Sequence, residues 1–406
     1  MLRRIVFLVL AIALVPGCST VKGWFHGGKV KPDEPAELTK IAAPIQVKHL
    51  WSVKLGGGED RLWLRLHPVL EGNRIYAIND NGQVLAIDGT TGKKIWTASV
   101  IEVKGKRGKL RFWHREAAEA GLTSSPGVGN GMVIVGGRNG DVIALNADTG
   151  EKRWSVRVSS EVLSAPLVMS SHVIVRSNDG RVFGLDSADG SRKWVFDRGL
   201  PTLSIRGNAA PVGANGLAYI GYDDGTLVAL REQDGLRVWE QAIAEPEGRT
   251  ELDRMADIDG EIQVGIDNVF AVSYHDQVMA VAANNGQPAW THGVGSANGL
   301  ALLGDKVLLT DKVGNIWALD RATGNSLWKQ DLLARRQLTS PAVQGDYGVV
   351  GDLEGYLHWF KVDSGEFVGR EKIAGDAIRG TPQVSADGVL YAVTTEGKLA
   401  AYKLGD

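Results

Sequence analysis

Side chains able to do chemistry are sparse in this 406-residue chain, and their spacing argues against most reactions. The eight histidines (His26, His49, His67, His114, His172, His275, His292 and His358) are scattered. No two of them stand at metal-ligand spacing, and there is no HExxH pair, GxSxG elbow or Walker loop. Asp257-Ile258-Asp259 offers two carboxylates, but the Gly and distal Glu of a calcium loop are missing, and the segment reads as a solvated loop. The stretch from Lys104 to Arg115 (KGKRGKLRFWHR) is basic with two aromatics. It would suit an anionic lipid or a protein partner, and the simpler reading is an extended solvated loop. Cys18 is the single cysteine, so no intramolecular disulfide can form. A net charge of −2 supplies no field for nucleic acid. The residues therefore lead us to expect no catalytic set, no metal, no cofactor and no nucleic-acid partner.

What the chain has in quantity is a repeat. Its copies read LAIDGTTGKKIW at 85–96, IALNADTGEKRW at 143–154, FGLDSADGSRKW at 183–194, VALREQDGLRVW at 228–239, MAVAANNGQPAW at 279–290 and WALDRATGNSLW at 317–328. A seventh copy, HWFKVDSGEFVG at 358–369, keeps the turn and loses the tryptophan. Three positions before the copies stand Gly82, Gly140, Gly180, Gly225, Asp276, Gly314 and Gly355, most of them preceded by Asn, Asp or Glu, as tight hairpins require. Short β-rich runs precede those turns: RIYAI, MVIVG, HVIVR, LAYIG, VFAVS, KVLLT and YGVVG. Segments such as Ser125-Pro126, Ala165-Pro166, Ala210-Pro211, Ser340-Pro341 and Thr381-Pro382 open the next strand. Four strands per unit, with little helical periodicity, describe a β-propeller blade.

The two ends complete the count. The last unit, beginning at Gly388, stops before a Trp strand, while HLWSVKL around Trp51 is a Trp strand with no unit before it. Joined, they make an eighth blade, and the ring leaves no open edge. The expected architecture is all-β: an eight-bladed propeller of four-stranded antiparallel blades over 46–406, closed by the N-terminal strand. Trp51, Trp96, Trp154, Trp194, Trp239, Trp290 and Trp328 are its blade-docking residues. Each ring covers on the order of 200 Å², worth roughly 5 kcal/mol at about 25 cal/mol per Å² as an upper figure.

Ahead of the body, Arg3 and Arg4 precede the apolar run Ile5–Leu14, then Val15-Pro16-Gly17-Cys18. Such a run has the length of a signal-peptide core and is short for a membrane span. It resembles the bacterial lipoprotein box, although Pro16 is not the usual small residue. The resemblance implies a signal peptide over 1–17, lipidation of Cys18 and, with Ser19 following, sorting to the outer membrane. Residues 18–45 mix Lys, Pro, Gly and Glu and are expected to form a flexible tether.

Two family resemblances bear on function. The docking phrase itself resembles the repeats of quinoprotein dehydrogenases, which hold pyrroloquinoline quinone, but the adjacent cysteine pair of those enzymes is absent here. The whole chain, 1–406, resembles the BamB family, lipoprotein subunits of the outer-membrane β-barrel assembly machine. Phrases that blade geometry does not demand carry this second likeness: LPTLSIRGNAAP at 200–211, ELDRMADID at 251–259, DLLARRQLTSP at 331–341 and VVGDLEGYLHW at 349–359. It implies a non-enzymatic scaffold facing the periplasm that binds the POTRA domains of BamA and aids barrel insertion; the rival readings are a scaffold that grips unfolded outer-membrane protein clients by adding their strands to a blade edge, and a quinoprotein-type dehydrogenase or other periplasmic enzyme. It also implies that Leu203, Ile205 and Arg206, with Asp257 and Asp259, contact BamA; Ile205 departs conservatively from the family's Leu.

Each acyl CH₂ buried in a bilayer contributes about 0.8 kcal/mol, so an anchor of several chains holds stably. Cys18→Ala is expected to abolish fatty-acid labelling and to leave the signal segment uncleaved. Metabolic labelling with a radioactive fatty acid checks both, and label persisting on the variant would refute the assignment.

Overall fold

Seven copies of one docking contact set the geometry. The computed structural model describes residues 34–42, 44–58, 64–100, 121–199, 209–245, 250 and 255–405. A first unit, Met1–Pro35, including the signal segment and Cys18, falls almost wholly outside them, and a second, Ala36–Asp406, holds all the strands. Among the described residues there is no helix. The strands form eight four-stranded antiparallel sheets arranged as a β-propeller. Blades 1 to 7 span 69–99, 127–157, 167–197, 212–242, 263–292, 300–330 and 342–372. Blade 8 joins Gln383–Val384, Val389–Val393 and Lys398–Leu404 to Val47–Lys54 from the other end of the chain. That strand runs antiparallel to Lys398–Leu404, and the Gly405 amide donates to the Gln46 carbonyl at 2.8 Å.

The hydrophobic core is distributed around the ring. Eight clusters of buried side chains each bridge two adjacent blades, from blades 1 and 2 (Tyr76, Val84, Val133, Leu145) round to blades 8 and 1 (Leu399, Ala401, Ile75, Leu85). The docking tryptophans sit at these seams. Each indole Nε1 donates to a carbonyl in the next blade: Trp51 to Gly89, Trp96 to Ala147, Trp154 to Ser187, Trp194 to Glu232, Trp239 to Ala283, Trp290 to Arg321 and Trp328 to Val362, all at 2.9–3.0 Å.

The repeat's Gly explains itself in the same contact. Gly92, Gly150, Gly190, Gly235, Gly286, Gly324 and Gly365 all have φ near +70° and lie in the turn of the blade that receives the ring. A Cβ on any of them would stand 2.4–2.7 Å from the preceding blade's tryptophan. Opposite each tryptophan, across its own sheet, is a small residue: Ala86, Ala144, Gly184, Ala229, Ala280, Ala318 or Ala401.

Blade 7 inverts this pair. Trp359 faces Gly369, and the large ring sits on the inner strand of the pair. The reason lies in blade 8, whose corresponding turn is replaced by the meeting of the two chain ends, so no glycine turn exists to receive a ring. Instead Trp359, fully buried, donates to Gln344 Oε1 at 2.7 Å, and Gln344 Nε2 donates to the blade 8 carbonyls of Gly388 and Tyr402 at 2.9 and 3.2 Å. The indole reaches the next blade through a side-chain relay. Ile45, whose amide donates to the Val368 carbonyl at 2.7 Å, packs over Gly369 in the vacated space.

Gly324 and Gly216 share φ +74°, but Gly324 lies under Trp290 while nothing lies within 4 Å of a Cβ at Gly216. Gly216→Ala is expected to cost about 1 kcal/mol from backbone strain. Gly324→Ala adds overpacking of about 1–3 kcal/mol. Urea unfolding of both variants checks the difference; equal losses would show that the ring has no fixed position on the turn.

Candidate functional site

Blade 4 carries glycines where its edge must accept another segment. A Cβ at Gly221 would lie 2.5 Å from the Ile258 side chain, and one at Gly225 would lie 2.9 Å from Ala256 Cβ. Residues 256–258 are thereby pressed against the end of blade 4, where the Ile258 amide donates to the Tyr222 carbonyl at 3.1 Å. On the blade 5 side, the Tyr274 amide donates to the Asp257 carbonyl at 2.8 Å.

This packing brings three carboxylates together. Candidate oxygens of Asp223, Asp257 and Asp259 all lie within 4.8 Å of one another, and all three residues are buried. Asp257 and Asp259 are therefore not the solvated loop that their sequence suggests: Asp257 is 0 % exposed and Asp259 7 %. Burial here comes from Gly221, Gly225 and Ile258, which no local reading of ELDRMADID reveals.

Compensating charge comes from blade 3. Arg176, 1 % exposed at the end of its strand His172–Arg176, pairs with Asp223 and lies 5.1 Å from the centroid of the Tyr222 ring. Arg198 lies 5.4 Å from the same centroid and pairs with Asp224 at 2.6 Å and Glu240 at 3.3 Å. Burial drives the Tyr222 hydroxyl strongly upward, so it stays neutral. Neither carboxylate oxygen of Asp259 has a hydrogen-bond partner among the described residues. Burial first, then repulsion from Asp257, pushes the Asp259 carboxyl up to about 7, against the partial offset of Arg65. Three clustered carboxylates are a cation's ligand type, but Asp223 is already committed to Arg176, and calcium needs about six to eight oxygens.

Asp259 also borders the central cavity of the ring, about 530 Å³ in volume, together with Arg65, Glu261, Tyr274, Lys312 and Arg379. The cavity's charges are mixed, and on its wall Ser125 Oγ lies 3.3 Å from His67 Nδ1 and accepts the His67 amide at 3.1 Å.

Leu203, Ile205 and Arg206 lie outside the described residues, as do Cys18 and the basic stretch 104–115. The flanks of 200–208 are described, and both end at this site. Arg198 is the cation paired with Asp224, and Ala209 is buried in the same cluster as Ile258 and Ile262. Arg176, Asp223, Tyr222 and Arg198 escaped the sequence reading. A signal was present: in the aligned strand runs the last residue is apolar, small or a hydroxyl, except in HVIVR, where it is Arg176.

An eight-bladed, tryptophan-docked propeller with three buried carboxylates where blades 4 and 5 connect is the class that these features define. The family model described as "Outer membrane protein assembly factor BamB" matches residues 45–109 and 106–330. A relative of that name from Xanthomonas campestris pv. campestris is 44% identical over 407 residues, covering 100% of this chain and 98% of its own length. The crystal structure of BamB from Moraxella catarrhalis superposes with TM-score 0.78 at 27% identity, covering 88% of this chain and 100% of that one. A quinohemoprotein alcohol dehydrogenase from Comamonas testosteroni gives TM-score 0.67 at 14% identity, over 88% of this chain and 76% of its own, and shares the fold alone. The chain belongs to the BamB family.

The raised Asp259 carboxyl sets a pH dependence. A carboxyl whose folded value lies above its unfolded one favours the folded state at low pH, and that stability is lost as pH rises through the folded value. For Asp259 the window runs from 3.8, its ordinary value, to about 7. Asp259→Asn mimics the protonated form. It is expected to match the parent at the acid end and to exceed it at about pH 8, by no more than about 4 kcal/mol. Urea midpoints across that range check this; a variant less stable than the parent at the alkaline end contradicts it.

Proposed function

We propose that this protein is a non-enzymatic scaffold lipoprotein that assists assembly and insertion of β-barrel proteins in a Gram-negative outer membrane. The observation that carries this reading is 44% identity over the full chain to a relative named as an outer membrane protein assembly factor. The proposed location is the outer membrane, anchored by acyl chains on Cys18 and facing the periplasm. The proposed direct partner is BamA, through its POTRA domains, with unfolded barrel proteins as clients.

Within this reading Leu203, Ile205 and Arg206 make the contact, an apolar pair with a planar guanidinium that suits a hot spot. The burial of Asp257 and Asp259 argues for a different role for the acids. They act as buried groups behind the contact rather than as exposed rim contacts. Asp257→Arg is for that reason a poor probe, since it forces a long cation into a site with no exposed surface.

Arg206→Glu is the informative variant. It is expected to weaken BamA binding by roughly 2 kcal/mol, near thirtyfold, if the residue is a hot spot. The propeller should keep its melting temperature, because no docking tryptophan is touched. The measurement is recovery of BamA from detergent-solubilised membranes, with a melting curve alongside. Full recovery by the folded variant would remove this segment from the interface, and no recovery of an outer-membrane barrel by the parent protein would sink the functional reading.

A further inference from the structure

Blade 7 contains a second buried polar network, remote from the acidic pocket, and it grips the chain ahead of blade 8. Asp352 and His358 are both 0 % exposed, and Arg336 is 3 % exposed. Asp352 Oδ1 accepts the amides of Glu354 and Tyr356, each at 2.9 Å. Its Oδ2 accepts Arg336 Nε at 2.8 Å and His358 Nε2 at 2.9 Å. Arg336 also pairs with Glu354. Arg370 Nε donates to His358 Nδ1 at 3.1 Å. An arginine can only donate, so Nδ1 must be the bare nitrogen and the imidazole proton must sit on Nε2, facing Asp352. The network thus fixes His358 as the neutral tautomer.

The two arginines use their remaining N–H groups on the N-terminal segment. Arg336 Nη1 donates to the Ala36 carbonyl at 2.9 Å, and Arg370 Nη1 donates to the Thr39 carbonyl at 2.8 Å. The Ala36 amide returns a bond to the Ala334 carbonyl at 3.0 Å, and Leu38 packs against the apolar cluster between blades 6 and 7. Residues 36–42 form no strand, so these contacts carry much of their attachment.

We propose that Arg336 and Arg370, held by the Asp352–His358 pair, form a clamp on residues 36–42 that opens when His358 takes a second proton. That proton must go to Nδ1, where it meets the Arg370 Nε–H head-on. Two donors would then face each other, and imidazolium would stand between two guanidinium groups. Among the described residues Asp352 is the one carboxylate bonded to the ring; the Tyr356 ring lies tilted at 6.0 Å, Phe367 lies at 6.1 Å, and the charge of Glu354 is taken by Arg336. Asp352 already accepts four bonds and cannot turn to hold the new proton. Arg370 is the member able to leave, because it is partly exposed on the outer strand Phe367–Lys372. Its departure releases Thr39. Burial, the leading cause, holds the His358 imidazole below its ordinary range, with Arg370 and Arg336 acting in the same sense and Asp352 opposing. A group depressed in this way gives a clamp intact above the ordinary histidine range and lost as pH falls through the folded value.

A nitroxide at position 40 reads the clamp in the full chain, using Lys40→Cys with Cys18→Ser so that the label is unique. At about pH 8 the spectrum is expected to be immobilised, and at a pH well below the ordinary histidine range its mobile fraction should rise severalfold. His358→Gln keeps a donor toward Asp352 and cannot titrate, so its spectrum should stay immobilised at both. Arg370→Gln should be mobile at both, with the body folded by its melting curve. A control label at Asp189→Cys on blade 3 should not change. The proposal is overturned by a parent spectrum that ignores pH, by His358→Gln following the parent, by Arg370→Gln remaining immobilised, or by the blade 3 label loosening in step.

Discussion

One contact governs this molecule: the indole of one blade laid on the turn glycine of the next. Everything else about the body adjusts to it. The turn must be glycine, both for its positive φ and because a Cβ would fill the ring's place. The residue across the sheet from the indole must be small. The Nε1–H, which would cost free energy if buried without a partner, always ends on a carbonyl of the receiving blade. Because donor and acceptor sit on different blades, the repeat is complete only as a pair, and a chain of such units is satisfied only when it closes on itself.

Closure breaks the pattern in one place, and the break is coherent. The eighth blade takes its outer strand from the N-terminal side, so it lacks the turn on which an eighth indole would rest. Blade 7 answers by exchanging the large and small members of its cross-strand pair, sending the indole bond through Gln344 and using Ile45 to cover Gly369. What looks in the sequence like a decayed repeat, HWFKVDSGEFVG, is the one copy that must differ.

The propeller was legible because docking chemistry is written within twelve consecutive residues and repeated seven times. The split eighth blade was legible for the same reason, as two halves of one phrase. The acidic pocket was not. Asp257 and Asp259 look solvated in a polar segment, and what buries them is Gly221 and Gly225 from the preceding blade, with Arg176 from the blade before that. Nothing within reading distance of ELDRMADID mentions them. The attachment of residues 36–42 was hidden likewise. Lys-, Pro- and Glu-rich sequence describes a tether in isolation, and it is arginines some three hundred residues later that hold it.

Both polar networks occupy places that the docking contact leaves unconstrained, and this is where a propeller can differ from its fold relatives. Buried ion pairs contribute little net stability against their desolvation, so their retention asks for another reason. At the acidic pocket, three carboxylates lie close together, Arg176 is committed to Asp223, and burial with the Asp257 charge leaves Asp259 raised to about 7. Such an arrangement is poor for stability at neutral pH. At blade 7 the charges are matched, Asp352 and Glu354 against Arg336 and Arg370, around a histidine that is neutral because both its nitrogens are spoken for. A matched network suits a fixed attachment, and its one titratable ring is the point where that attachment can be undone. The same ring of blades thus carries two buried networks, each built around one group with a displaced pKa, set apart because docking confines neither.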